Sequence, residues 1–123
     1  MFDKELAIEI LQQIYQATLV VLKRFEPINS SDDFIDSENG MEKLDSICMQ
    51  LIAIGESLKN LDNVTENNLL KNYLWIDWKK VKGMRDIISH HYFDIDAEAI
   101  FDVCQNHIPI LSEAINKIIT DIR

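Results

Sequence analysis

Apolar residues recur at steps of three and four along almost the whole chain, and only three glycines and two prolines interrupt them. That period is the one an α-helix needs to bury a single face. Few segments alternate apolar with polar, so no sheet is expected, and neither an internal repeat nor a low-complexity tract is visible. The period predicts a first helix from Asp3 to Phe25, with Leu6, Ile10, Ile14, Ala17, Val21 and Phe25 in one stripe. Asp3 is its N-cap, and Glu26-Pro27 ends it because proline drives its predecessor out of the α region. A second helix is expected from Met41 to Leu61, with Leu44, Ile47, Cys48, Leu51, Ile52, Ile54, Gly55 and Leu58 on its apolar face. A third starts after Asp77 and ends near His90 or His91. A fourth starts after Asp96 and should kink or restart near Asn106-His107, because Pro109 removes a backbone donor.

Two polar connections separate these helices. Ser31-Asp32-Asp33-Phe34 in the first reads as a short helical turn, and a short helix is expected near Glu66 to Lys71 in the second. The expected architecture is therefore all-α: an antiparallel up-down bundle of four main helices with one or two short extra ones. At 123 residues, residues 1–123 suit one domain. Its high surface-to-volume ratio makes pairing with another chain an expected source of stability.

Composition narrows the functional classes. Cys48 and Cys104 sit between apolar neighbours in helical stretches, which reads as buried free thiols and a cytoplasmic location. No CxxC or Cys/His cluster suggests zinc, and there is no Glu-x-x-His pair for a di-metal bundle site. Met1 leads straight into a mixed polar-apolar pattern with Asp3, Lys4 and Glu5 in the first turn, so no cleavable signal is expected. The apolar run Leu19 to Leu22 is far too short to span a bilayer. The net charge is −9, which argues against a general nucleic-acid coat protein and suits a basic partner. Yet Lys79, Lys80, Lys82 and Arg85, a third of the 12 basic residues, fall in one stretch without an acid.

That stretch runs into the one unusual segment, where Arg85, Asp86, Ser89, His90, His91 and Tyr92 lie within eight residues at a helix C-terminus. Asp86 and His90 are four apart and can hydrogen-bond on one helix face. A carboxylate beside an imidazole fixes its tautomer and raises its pKa, which suits a general acid/base. Arginine supplies a permanent charge and a two-pronged donor set for phosphate. Arg85 and His90 are five apart, about 140° around an ideal helix. A site that needs both requires local unwinding at the helix end or a second copy of the chain. One at a time these residues are ordinary: a solvated Arg-Asp pair, a histidine complementing a helix dipole, aromatics closing a core at Tyr92 and Phe93.

Taken together they form a pattern. Arg85-x-x-x-x-His90-x-Tyr92 resembles the Arg-x4-His-x-Tyr signature of HepT-like proteins of the HEPN superfamily. Trp78, Val81, Gly83, Met84, Arg85 and Asp86 are similar to that family's Trp-x-x-Ile-x-Gly-Met-Arg-Asp lead-in, with Val81 for Ile. Ile54-Gly55-Glu56-Ser57 resembles its Ile-Gly-Glu-Ala motif, with Ser57 for Ala. Tyr92-Phe93-Asp94-Ile95-Asp96 resembles its tail into the last helix.

The resemblance implies a helical homodimer that brings two Arg/His pairs into one cleft and cleaves RNA without metal or cofactor. His90 would handle the proton and Arg85 the charge developing on the phosphoryl oxygens. Asp86 would orient one of them, Tyr92 would contact substrate, and Lys79, Lys80 and Lys82 would attract RNA. Glu56 either pairs across the bundle with Arg85 as a buried polar group or faces the cleft. His91 reads as a bystander. HepT-like toxins are commonly encoded beside a minimal nucleotidyltransferase antitoxin that adenylylates the motif tyrosine, which makes Tyr92 the candidate modification site. Two other readings are a non-catalytic binding subunit of a nucleotidyltransferase and a plain helical dimerisation module. Retention of both Arg85 and His90 favours the ribonuclease.

Overall fold

A computed structural model describes residues 2–90 and 96–123, with the backbone alone at 87, 89 and 90. Among them every regular element is helical and none is a strand. Helix α1 (Lys4–Phe25) opens as expected, with Asp3 Oδ1 accepting from Leu6 N at 3.1 Å. Its end differs in mechanism. Glu26 stays in the α region (φ −48°, ψ −46°) and its N–H still bonds to Lys23 O. The ladder stops because Pro27 has no N–H to offer.

The buried face of α1 keeps the centre of the expected stripe and widens to one side. Leu6 is 40% exposed, while Ala7, Leu11 and Thr18 join Ile10, Ile14 and Val21 in the core. The face is set by two neighbours, since α1 packs on both α2 and α6. Thr18 is fully buried without penalty: its hydroxyl bonds to Tyr15 O at 2.6 Å and lies 3.1 Å from the Ser112 hydroxyl.

The first connection forms the expected turn, a 3₁₀ helix at Ser31–Phe34. Phe34 is fully buried beneath it, its ring tilted by 35° against that of Phe25 with centroids 6.2 Å apart. Helix α2 (Glu38–Val64) then begins three residues earlier than expected and runs three longer. Ser37 caps it, accepting from Gly40 N at 3.0 Å. Gly40 is a packing residue inside the helix and not a break before it, since a β-carbon there would overlap the Asp33 carbonyl oxygen. At the other end Thr65 Oγ1 bonds to Leu61 O at 2.8 Å, and Glu66 and Asn67 turn left-handed at φ 53° and 60°. Those two residues cannot start a helix. The short helix expected near Glu66 to Lys71 is therefore a 3₁₀ turn at Leu70–Asn72.

The third expected helix is two. Asp77 caps α3 (Trp78–Lys82) by accepting from Lys80 N at 3.1 Å. Gly83 interrupts it, and α4 (Met84–His90) follows. The expectations for His91, Tyr92 and Phe93 lie outside the described residues. Asp96 caps α5 (Ala97–Asp102) through bonds from Glu98 N and Ala99 N. The backbone next widens into a π segment at Val103–His107 and closes again as α6 (Ile108–Ile122). Ile108 N reaches back five residues to Val103 O, which is how the helix restarts around Pro109.

Cys48 and Cys104 are buried free thiols, as read from the sequence. Burial, with a smaller contribution from Asp45, pushes the Cys48 thiol up to about 11. Burial pushes Cys104 up to about 12. Among the described residues no helix is long and apolar enough to cross a membrane.

Candidate functional site

The site segment is held by a close backbone approach. A β-carbon on Gly55 would sit 3.3 Å from the carbonyl oxygens of both Val81 and Lys82. The absence of a side chain on α2 thus lets the end of α3 lie against it. Trp78 anchors the start of α3 from the core, 7% exposed, with its indole N–H bonded to Tyr73 O at 2.9 Å. Tyr73 is in turn fastened to α6, its hydroxyl donating to Asp121 at 2.8 Å. Burial first, and then this bond, raises the Tyr73 phenol to about 12.

With α3 fixed, Gly83 redirects the chain and α4 packs on α2, burying Met84 and Ile88. Arg85 then falls two residues past Gly83 and one residue past the buried anchor Met84. It is exposed, and its Nε lies 3.0 Å from Glu56 Oε1. The pairing of Glu56 with Arg85 is one of the two alternatives read from the sequence. The burial expected with that pairing is absent: the side chains are 47% and 50% exposed. Glu56 follows Gly55, so the residue that lets α3 approach and the residue that steadies Arg85 are neighbours. Nε is one of five guanidinium donors, and the terminal nitrogens keep the forked geometry that suits a phosphate.

Asp86 is exposed on α4. His90 is the last residue of that helix, and its expected hydrogen bond with Asp86 lies outside the described side chains, as do Tyr92 and His91. Lys79 and Lys80 are exposed. Lys82 is not: it is ion-paired with Asp62 on α2, the two side chains 25% and 15% exposed. The stretch without an acid in sequence therefore meets one in space.

Lys80 also has a partner that periodicity could not show. Its Nζ lies 3.3 Å from His107 Nε2, at the end of the π segment. His107 in turn lies 3.4 Å from Asp102 Oδ2, and Asn106 donates to Asp102 Oδ1 at 2.7 Å. The Asn106 bond chiefly, with the charges of His107 and Lys80, holds the Asp102 carboxyl below its usual range. Asp102 and His107 lie 22 and 27 residues from Lys80 in sequence, and neither stood out from its neighbours. Among the described residues no group of three or more His, Cys, Asp or Glu converges as a metal-ligand set.

The sequence matches known proteins along most of its length. Putative RNase MJ0127 of Methanocaldococcus jannaschii is 30% identical over 107 residues, covering 80% of this chain and 85% of its own. Putative RNase TTE0752 of Caldanaerobacter subterraneus subsp. tengcongensis is 28% identical over 109 residues, covering 89% and 90%. No solved structure matches the chain significantly. The family model described as Ribonuclease HepT-like matches residues 5–118, a span that runs from the first turn of α1 through most of α6. The chain belongs to the HepT-like ribonuclease family.

Proposed function

We propose that this chain is a metal-independent endoribonuclease that works as a homodimer, as the toxin of a cytoplasmic toxin–antitoxin pair. The observation that carries the reading is the placement of Arg85: exposed, steadied through Nε by Glu56, and on the same short helix as His90. Family membership supports the substrate class, RNA.

On this reading residues 1–123 form one domain whose four main helices run up and down antiparallel. Because Arg85 and His90 diverge by about 140° around an ideal helix, the second chain completes the cleft. The 2′-hydroxyl oxygen attacks the adjacent phosphorus, the bond to the 5′ oxygen breaks, and a cyclic phosphate remains. His90 moves the proton and Arg85 neutralises the charge that develops on the phosphoryl oxygens. Asp86 orients His90 or Arg85, and Lys79 and Lys80 attract the backbone, with Lys82 shared between RNA and Asp62. Tyr92 contacts substrate and is the residue that a minimal nucleotidyltransferase antitoxin adenylylates. The added phosphate then competes for the same cations.

The test is product analysis. The purified chain, incubated with single-stranded RNA in excess chelator, should give fragments ending in 2′,3′-cyclic phosphate. Intact RNA under those conditions, with cleavage restored by a divalent metal, would overturn the mechanism.

A further inference from the structure

Beside the site segment lies a cavity of about 210 Å³ that nothing above uses. Its floor is apolar and buried, formed by Met84, Val103, Ile108 and Leu111 from α4, the π segment and α6. Its rim is polar, formed by Asp77, Lys80 and His107. Trp75 stands at the mouth, 56% exposed, in contrast to Trp78 three residues on.

The contents of such a cavity are restricted by its size and rim. An apolar cavity of about 150 Å³ accepts a single aromatic ring, so this one has room for a planar ring system and is too small for a helix face. An indole left half in water at the mouth offers a stacking face. The rim offers both kinds of hydrogen-bonding group, a cationic donor at Lys80 and a carboxylate acceptor at Asp77. An aliphatic side chain from a partner would use neither, whereas the edge of a nucleobase carries donors and acceptors together. The π turn supports this arrangement, since it is what carries His107 to within 3.3 Å of Lys80. Met84 in the floor directly precedes Arg85, so the cavity and the candidate phosphate-binding group belong to one stretch of chain.

We propose that this cavity is a nucleobase subsite, in which an unpaired base of single-stranded RNA stacks on Trp75 and is read at its edge by Lys80, His107 and Asp77. The inference rests on the ribonuclease reading and adds to it a source of sequence preference.

The experiment uses a ten-nucleotide 2′-O-methyl RNA, whose capped hydroxyls prevent cleavage, and follows tryptophan fluorescence of the full chain. Binding should change the emission saturably. Trp75→Leu should abolish the change and weaken binding, measured independently by calorimetry, about 5- to 150-fold, the range for losing one stacked base. An oligonucleotide of the same length with abasic positions should bind both proteins equally. Far-UV circular dichroism and the buried Trp78 report that the variant is folded. Equal binding by both proteins, with RNA cleavage intact, would overturn the subsite and leave the ribonuclease standing. Loss of oligomerisation in Trp75→Leu with unchanged RNA affinity would assign the cavity to a second chain instead. Absence of both RNA binding and cleavage in the wild type would remove the ribonuclease reading and the subsite with it.

Discussion

Glu56 and Arg85 stand on different helices and touch through one 3.0 Å contact, with about half of each side chain in water. A pair this exposed stabilises a fold by about 1 kcal/mol at most. Its value lies in where it holds the guanidinium. Glu56→Ala should therefore shift the thermal midpoint little while lowering RNA cleavage on the order of tenfold, since misplacing a reacting group by about 1 Å can cost up to about 100-fold. Matched melting curves and initial rates check this. A variant that melts far earlier, or one that cleaves at the wild-type rate, would show that the pair does something else. At this scale the sequence brought out Arg85, Asp86 and His90 as candidates because they sit within six positions, and the structure describes the side chains of the first two. The sequence was silent on Asp62 against Lys82 and on His107 against Lys80, because neither contact has a periodic signature.

Helix starts were readable at three aspartate caps, though not at Ser37, whose side chain opens α2 three residues before the expected start. Asp3, Asp77 and Asp96 each accept the backbone bonds that open α1, α3 and α5. The glycines were harder, because the same residue type does opposite things. Gly83 breaks a helix, whereas Gly40 and Gly55 lie inside α2 and let other backbone come close. Only the neighbour distinguishes them, and the neighbour is not in the local sequence. The π segment was half readable: Pro109 demanded a restart, but not its form. That segment also carries Cys104, which makes a prediction for both thiols. Their folded-state values, about 11 and about 12 against 9.0 for a free thiol, are raised. The folded state thus holds these protons more tightly than the unfolded chain. The associated stability is present below pH 9 and is lost as pH rises through 11 to 12, with Tyr73, raised from 10.0 to about 12, adding in the same direction. Chemical denaturation from pH 7 to 11 should show stability flat to about pH 9 and falling above it. Ellman's reagent at pH 8 should label neither cysteine until denaturant is added. Prompt labelling of the native protein would contradict the burial.

For the molecule as a whole, the all-helical class follows from the period of the sequence, and the core follows from α1, α2 and α6 meeting along their apolar faces. The α1 face is wider than the expected stripe, because two neighbours, not one, determine it. The proposed function makes a further demand at this scale, that two chains assemble. Light scattering at micromolar concentration should give twice the 14.3 kDa chain mass, and a species of the single-chain mass alone would count against a shared cleft. The most direct test of the account is the rate of RNA cleavage in chelator by wild type, Arg85→Ala and His90→Ala, each shown to be folded. Loss of a general acid/base costs about 100- to 10,000-fold, so the account predicts a fall of that order for His90→Ala and a comparable loss for Arg85→Ala, with His91→Ala near wild type. Full activity in the His90 variant would contradict it.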